Sequence, residues 1–346
     1  MKTFLLFLML FSAAILLLPM TALDLSAPKT ESSSAAIVIR QEESLPPPAQ
    51  ETRPVMETVK TVHWDEPDCF SVLDRSRNEI IEVPVLDYLY GAVAAEMPPT
   101  FHPEALKAQA VAAHTYALYC HCHPSEELGG ADFSADPENW QGFIRREQML
   151  ERYGQQGEEY WDRITQAVDE VFSLVLFYQE EPVLAAYHAI SAGNTEYASN
   201  VWEQSLPYLV PADSAGDTLA AEYESIVRFS VEEMRQKLSA SFHTVSLSDD
   251  PSSWFQILSR SPSGYVLSVQ VCDCTVTGQQ LRQALGLRST HFSVTPLPDG
   301  FSCSVLGSGH GVGLSQNGAD YLARQGSDFQ QILLHYYTGV DLFSVR

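Results

Sequence analysis

One run, VPVLDYLYGAVAAEMPPTFHPEALKAQAVAAHTYALY from Val83 to Tyr119, constrains this chain more than any other. Apolar residues recur at helical spacing on both sides of Pro98-Pro99. The residue before a proline avoids the α region, so the pattern predicts a helix over Leu86–Ala95, a sharp corner, and a second helix opened by His102-Pro103. Ala105, Leu106, Val111, Ala112, Tyr116 and Tyr119 offer that second helix a broad buried surface, and its alanines let neighbours approach closely. Glu104, Lys107, Val111 and His114 share a different face. One carboxylate, Glu96, stands at the end of the first helix in apolar company. The partial negative charge of a helix C-terminus and burial both disfavour the ionised form, which makes Glu96 a candidate general acid. The plain alternative is a helix-end glutamate paired with Lys107 or facing water.

The rest of the chain reads as an anchor, a tether and a two-lobed globular region. Residues 4–23 carry no charge and as a helix can span roughly 30 Å of hydrocarbon. Lys2 and the amino terminus favour a cytoplasmic start with the remainder exported. Residues 1–23 are therefore expected to be a transmembrane anchor, or else a signal segment cleaved near Thr21-Ala22-Leu23. Residues 24–69, rich in Pro, Ser, Thr and Glu, read as a disordered extracytoplasmic linker. The folded part, 70–346, is expected to be α+β, with helices around a cleft and a smaller strand-rich lobe. Within it, 213–300 reads as that second lobe or as an acidic insertion. A helix over Ile164–Val171 leads into a strand at 174–178, a hairpin at Gln179–Glu181 and a strand over 183–191. Further on come a strand over Tyr265–Val271, a helix over 277–287, and a C-terminal helix and strand.

Two later stretches place polar groups in apolar surroundings. In YHAISAGNTE, Tyr187, His188, Ser191, Asn194 and Thr195 supply the hydroxyls and amides that carbohydrate binding uses; the bland reading is a hairpin and a polar turn. In GHGVGLSQNGA, the glycines around His310 suggest a backbone that approaches something closely, with Gln316 beyond it; packing or capping would equally explain His310.

A formal net charge of -24 argues against sequence-independent nucleic-acid binding, which needs a basic face, so any anionic substrate must meet a local basic pocket. The six cysteines include two C-x-C pairs, not the C-x-x-C of a redox centre or zinc knuckle. Neither H-E-x-x-H nor G-x-S-x-G occurs. The run Cys120-His121-Cys122-His123 has metal-capable atoms, but neighbours on one helix point in different directions.

Five segments together, DYLYGAVAAEMP, EALKAQAVAAHTYAL, AYHAISAGNTE, TGQQLRQALGLRST and GHGVGLSQNGA, resemble the stage II sporulation protein D (SpoIID/LytB) family over roughly Glu79–Phe343. The resemblance implies a membrane-anchored lytic transglycosylase of a spore-forming bacterium. Such an enzyme cleaves peptidoglycan glycan strands between N-acetylmuramic acid and N-acetylglucosamine to 1,6-anhydro products during engulfment, preferably after stem peptides are removed. It also implies an amidase partner, stage II sporulation protein P. Some relatives are instead described as non-catalytic peptidoglycan-binding scaffolds or activators of a cell-wall amidase. By this resemblance Glu96 is catalytic, while Lys107, His114 and the loop from Ser191 to Thr195 bind substrate. Two departures stand out. His114 occupies a position commonly arginine, and the stretch where clostridial relatives hold zinc reads DFSADPENWQGF, with Ser134, Asn139 and Trp140 where ligands would fall. No metal or other cofactor is expected.

Overall fold

The computed structural model describes residues 59–61, 64, 66–75, 77–134, 141–202 and 204–345. The expected anchor over 1–23 and most of the 24–69 linker lie outside them. Among the described residues no helix is long and apolar enough to cross a membrane.

The corner forms as the prolines dictate. Helix α1, Val85–Glu96, ends at Met97, whose backbone is extended and whose N–H donates to the Val93 carbonyl. Helix α2, Pro103–Cys122, starts behind His102, whose side chain accepts from the Glu104 N–H. Between them the turn is braced from outside. Arg163 donates from Nε to the Pro99 carbonyl at 2.9 Å and from Nη2 to the Phe101 carbonyl at 3.2 Å. The His102 N–H donates to Asp320 Oδ1 at 2.6 Å, and the Phe329 N–H to Glu104 Oε2 at 2.9 Å.

Helix α2 is the axis of the larger lobe. Ala105, Leu106, Ala108, Gln109, Val111, Ala112, His114, Thr115 and Leu118 are all buried, so it is enclosed on more sides than a surface helix with one apolar face. Its alanines permit this, because helices and strand approach it with no long side chain between. It packs on α1, on α4 (Gly157–Val171, which follows the short α3 at Arg146–Tyr153), and on strand 174–178. Thr115 Oγ1 donates to the Val111 carbonyl and accepts from the Leu176 N–H at 3.0 Å, which pins that strand to the helix.

The hairpin after 174–178 is present, with Gln179 and Glu180 at φ 52° and 73° as its two turn residues between paired Tyr178 and Glu181. Both positive φ values are those of the hairpin turn that matches strand twist. The strand expected over 183–191 is not continuous. Pairing stops at Pro182, the Leu184 N–H goes to the Tyr208 hydroxyl at 3.0 Å, and Tyr187–His188 leaves to pair in parallel with Leu314–Ser315. That departure carries Tyr187 and His188 to the glycine-rich segment.

The strand-rich lobe has its own hydrophobic core, from Met234, Leu238, Trp254 and Val269 to Phe301 and Val305. Two antiparallel three-stranded sheets build it, 255–260 with 266–271 and 274–277, and 224–230 with 292–297 and 300–306. Two helices cover them, α6 (Val231–Ser241, the next helix after the one-turn α5 at Ser199–Trp202) and α7 (Gly278–Leu285), each opened by a capping box. The architecture is thus mixed α and β with two cores. The second core runs to Val305, and the last strand of its sheet ends at Leu306.

Candidate active site

Glu96 is the last residue of α1 and lies half-buried. Burial raises its pKa above the usual glutamate value, and the backbone N–H of Gly142, donating to Oε1 at 2.6 Å, partly offsets this. The carboxyl is therefore held by one donor and kept easier to protonate than in water. Among the described residues no second carboxylate contributes to its shift. Three tyrosines feel its charge. Burial raises the pKa of Tyr187 well above normal, with Glu96 the next largest cause, and Tyr88 and Tyr116 are raised in the same sense. The hydroxyls of Tyr187 and Tyr88 are buried and without a hydrogen-bond partner among the described residues, as are both polar atoms of Gln141 and Nε2 of Gln109. Gln109 Oε1 accepts from Gln316 Nε2 at 3.4 Å, which joins the later motif to α2. Unmatched buried polar groups are costly and mark places where water or a ligand supplies the missing bonds.

On the strand that carries Tyr187, His188 turns the other way. Its Nδ1 lies 3.1 Å from the Val312 carbonyl, so the hydrogen sits on Nδ1 and the buried Nε2 lone pair meets no donor among the described residues. The His310 ring lies 5.6 Å from His188 and 5.0 Å from Trp202. Burial, the nearby His188 and the Arg282 charge push the pKa of His310 down to about 3, so it is neutral at ordinary pH. The glycines explain how it gets there. A Cβ on Gly309 would lie 2.7 Å from His188 Cβ, and Gly309 and Gly311 hold φ of 110° and 83°.

The loop after His188 is built inward more than outward. Ser191 and Thr195 are fully buried. Ser191 Oγ accepts from the Gly193 N–H at 3.1 Å, and Thr195 Oγ1 from the Ala212 N–H at 2.8 Å, so both hydroxyls hold loop backbone. Asn194 is the exposed member of the set. Asp217, buried in the segment read as an acidic insertion, accepts from the Ser191 N–H and the Ser315 hydroxyl, both at 2.8 Å. It thereby clamps the two motif loops together.

Lys107 and His114 leave the other side of α2 from Tyr116. Lys107 and Tyr116 are nine positions apart, about two and a half turns, so they leave opposite sides of α2. Lys107 pairs with Glu104 at 2.8 Å and with Glu170 of α4 at 2.6 Å. His114 is 1% exposed, hydrogen-bonds Glu66 through Nε2 and stacks on Phe172 with ring centroids 6.0 Å apart. Gly142 and Asp217 were not visible as site residues in the sequence. Gly142 lies in a polar stretch without periodicity, and Asp217 is one acid among many. The only trace of either is a glycine between polar and apolar neighbours in WQGF.

The described metal-capable side chains of this region have local partners. His121 Nδ1 meets Asp132 Oδ1 at 2.8 Å, His123 Nδ1 meets the Tyr119 carbonyl, and Cys120 is buried against Tyr116. Ser134 Oγ accepts from Arg75 Nε at 3.0 Å, while Asn139 and Trp140 lie outside the described residues. Among the described residues no three His, Cys, Asp or Glu side chains converge to hold a metal.

Comparison with known proteins gives the family of the chain. A family model described as stage II sporulation protein, SpoIID, matches residues 74–178, which contain Glu96, the corner and all of α2. Stage II sporulation protein D of Bacillus amyloliquefaciens is 32% identical over 297 residues, covering 85% of this chain and 83% of that protein. The chain belongs to the stage II sporulation protein D family. The protein of the same name from Bacillus subtilis is also 32% identical, over 78% of this chain and 77% of its own length. A more distant relative, the amidase enhancer of Bacillus subtilis, is 25% identical over 74% of this chain and 40% of its own length. The SpoIID match ends at Tyr178, before the loops bearing His188 and His310.

Proposed function

We propose that this SpoIID-family chain is a lytic transglycosylase that cleaves peptidoglycan glycan strands between N-acetylmuramic acid and N-acetylglucosamine. The observation that carries the reading is Glu96: one half-buried carboxyl, raised in pKa by burial, with a single backbone donor and unmatched polar groups around it. One carboxyl suffices for this chemistry. Protonated Glu96 donates to the glycosidic oxygen as the C1–O bond breaks. The carboxylate left behind takes the proton of the muramic C6 hydroxyl, whose oxygen closes on C1 to give the 1,6-anhydro end. A hydrolase would need a second carboxylate placed for a nucleophile or a water. The Gly142 N–H holds the carboxyl in the orientation in which it gives and then receives a proton, and the Tyr187 hydroxyl lies within its field.

The setting we propose is a spore-forming bacterium, with the catalytic part held outside the cytoplasm by the 1–23 segment. There the chain works during engulfment with stage II sporulation protein P and acts best on peptide-stripped strands. The relative named amidase enhancer favours one second reading, a non-catalytic activator of a cell-wall amidase. Incubating residues 54–346 with peptide-free glycan strands and analysing products by mass spectrometry separates the two. Anhydromuramic ends that vanish in Glu96→Gln support cleavage. Absence of product together with stimulation of an amidase supports the second reading.

A further inference from the structure

Gln141 is 3% exposed, and its Oε1 and Nε2 are both buried with no hydrogen-bond partner among the described residues. No other described side chain has two such atoms. Each of the rest leaves one bare, as Gln109 does, whose Oε1 accepts from Gln316 Nε2. A carboxamide out of water with an idle acceptor and an idle donor costs stability, and a fold tolerates it where something else completes the bonds.

Three contacts along α1 fix where this side chain starts. The Ile144 N–H donates to the Gly91 carbonyl at 3.2 Å, Phe143 stacks on Tyr88 with centroids 5.6 Å apart, and the Gly142 N–H donates to Glu96 Oε1 at 2.6 Å. Gly91 permits this approach, since a Cβ there would lie 2.4 Å from both the Ile144 oxygen and the Phe143 ring. The segment therefore runs antiparallel to the helix. Two residues of extended chain cover about 7 Å, close to the rise of about 7.5 Å from Gly91 to Glu96. Gln141 is the next residue on, at the end of α1 where the corner begins. Its Cα is about 2.4 Å from the Gly142 nitrogen by bond geometry, and so within about 5 Å of the Glu96 carboxyl.

We infer that Gln141 is a specificity residue that recognises the 2-acetamido group of the sugar whose C1–O bond breaks. The inference rests on the glycan-cleavage reading and adds to it a requirement for N-acylation. The acetamido group hangs from C2, the carbon next to C1, so an acid aimed at the glycosidic oxygen has that amide a few bonds away. The sugar N–H donates to Gln141 Oε1 and the sugar carbonyl accepts from Nε2, two parallel bonds that answer both idle atoms at once. A hydroxyl serves less well, because a single oxygen meeting both atoms bends both bonds. A free amine, protonated, has donors only and leaves Nε2 facing a cation.

The test compares kcat/KM of the full chain on three peptide-free glycan strands of equal length: N-acetylated, chemically de-N-acetylated, and de-N-acetylated then N-formylated. Acetylated strands should be cut at least roughly 10–100-fold faster than amine strands, the worth of two hydrogen bonds in a buried site. Formylated strands keep the amide and lose the methyl, and should be cut nearly as fast as acetylated ones. Gln141→Met removes both polar atoms at similar volume and should shrink the acetyl-to-amine ratio by that same factor. Gln141→Glu offers the ammonium an acceptor and should shrink the ratio further. The ammonium also slows bond breaking by itself, an effect common to parent and variants that cancels between their ratios. Each ratio is taken within one protein, so incomplete folding of a variant lowers both rates and leaves the ratio readable. A ratio unchanged in Gln141→Met, a parent that cuts all three alike, or formylated strands as slow as amine strands overturns the role of Gln141 while leaving glycan cleavage standing. A parent that cuts none of the three overturns both.

Discussion

The two sides of helix α2 are a controlled comparison within one element. On one side Lys107 is paired with Glu104 and Glu170, and His114 Nε2 meets Glu66, although His114 Nδ1 is buried without a partner among the described residues. On the other, Gln109 keeps an unmatched buried nitrogen and Tyr116 stands in the field of Glu96. Paired charges stabilise the fold, whereas unmatched groups gathered beside a carboxyl of raised pKa are candidates for ligand contact. The same helix thus anchors the lobe with one face and lines the cleft with the other.

Substitutions can break this comparison, beginning with the largest effect. Glu96→Gln should reduce glycan cleavage by roughly 10²–10⁴-fold, the worth of a general acid. Its melting temperature should be unchanged or higher above neutral pH. The folded pKa of Glu96 is raised, so ionising it costs stability as pH rises, and glutamine removes that cost. By the same shift, cleavage should fall as pH climbs through the Glu96 pKa, and a rate profile with no such alkaline limb would remove Glu96 as the acid.

His114→Ala should act oppositely. It opens a cavity on Phe172 and takes the ring from Glu66, so denaturant melts should show a loss of roughly 3 kcal/mol. Turnover per folded molecule should hardly change. A large fall in turnover without loss of stability would return His114 to the cleft.

Gly142→Ala sharpens the contrast on the active side. A Cβ there would lie 2.6 Å from Glu96 Oε1 and 3.2 Å from Ala95 Cβ, so the backbone must withdraw. We expect at least about a tenfold loss of rate, close to the worth of one charge-assisted hydrogen bond. Losing a donor to the carboxylate raises its pKa further, so the alkaline limb should move to higher pH.

Lys107→Met should be the mildest, costing about 1 kcal/mol or less because Glu170 is exposed. The pair lowers the folded pKa of Glu170, so the difference from wild type should be present above the usual glutamate range and fade as pH falls through it.

The local devices were legible in the sequence. The proline corner, both helix starts around it, the helix-end placement of Glu96 and the close approach of the His310 glycines each follow from residue chemistry over a few positions. What escaped depends on partners far along the chain. Helical spacing grouped Lys107 with His114 correctly, but which face would meet the cleft was decided by α4 and by Glu66, a residue in the segment read as tether. Gly142 acts through its backbone N–H, which every residue but proline carries, so composition hides it. Asp217 looked like a solvated acid because nothing nearby in sequence needs it; its partners, Ser191 and Ser315, are 26 and 98 positions away.

The bracing of the corner also bears on the order in which the protein is made. His102 takes its anchor from Asp320, 218 positions later, and Gln109 meets Gln316, 207 positions later. A ribosome therefore delivers Glu96 early but withholds the residues that fix its surroundings until the last part of the chain has emerged. A chain interrupted before that point carries Glu96 without the residues that brace its corner, so whatever chemistry depends on this geometry needs the late segment as well.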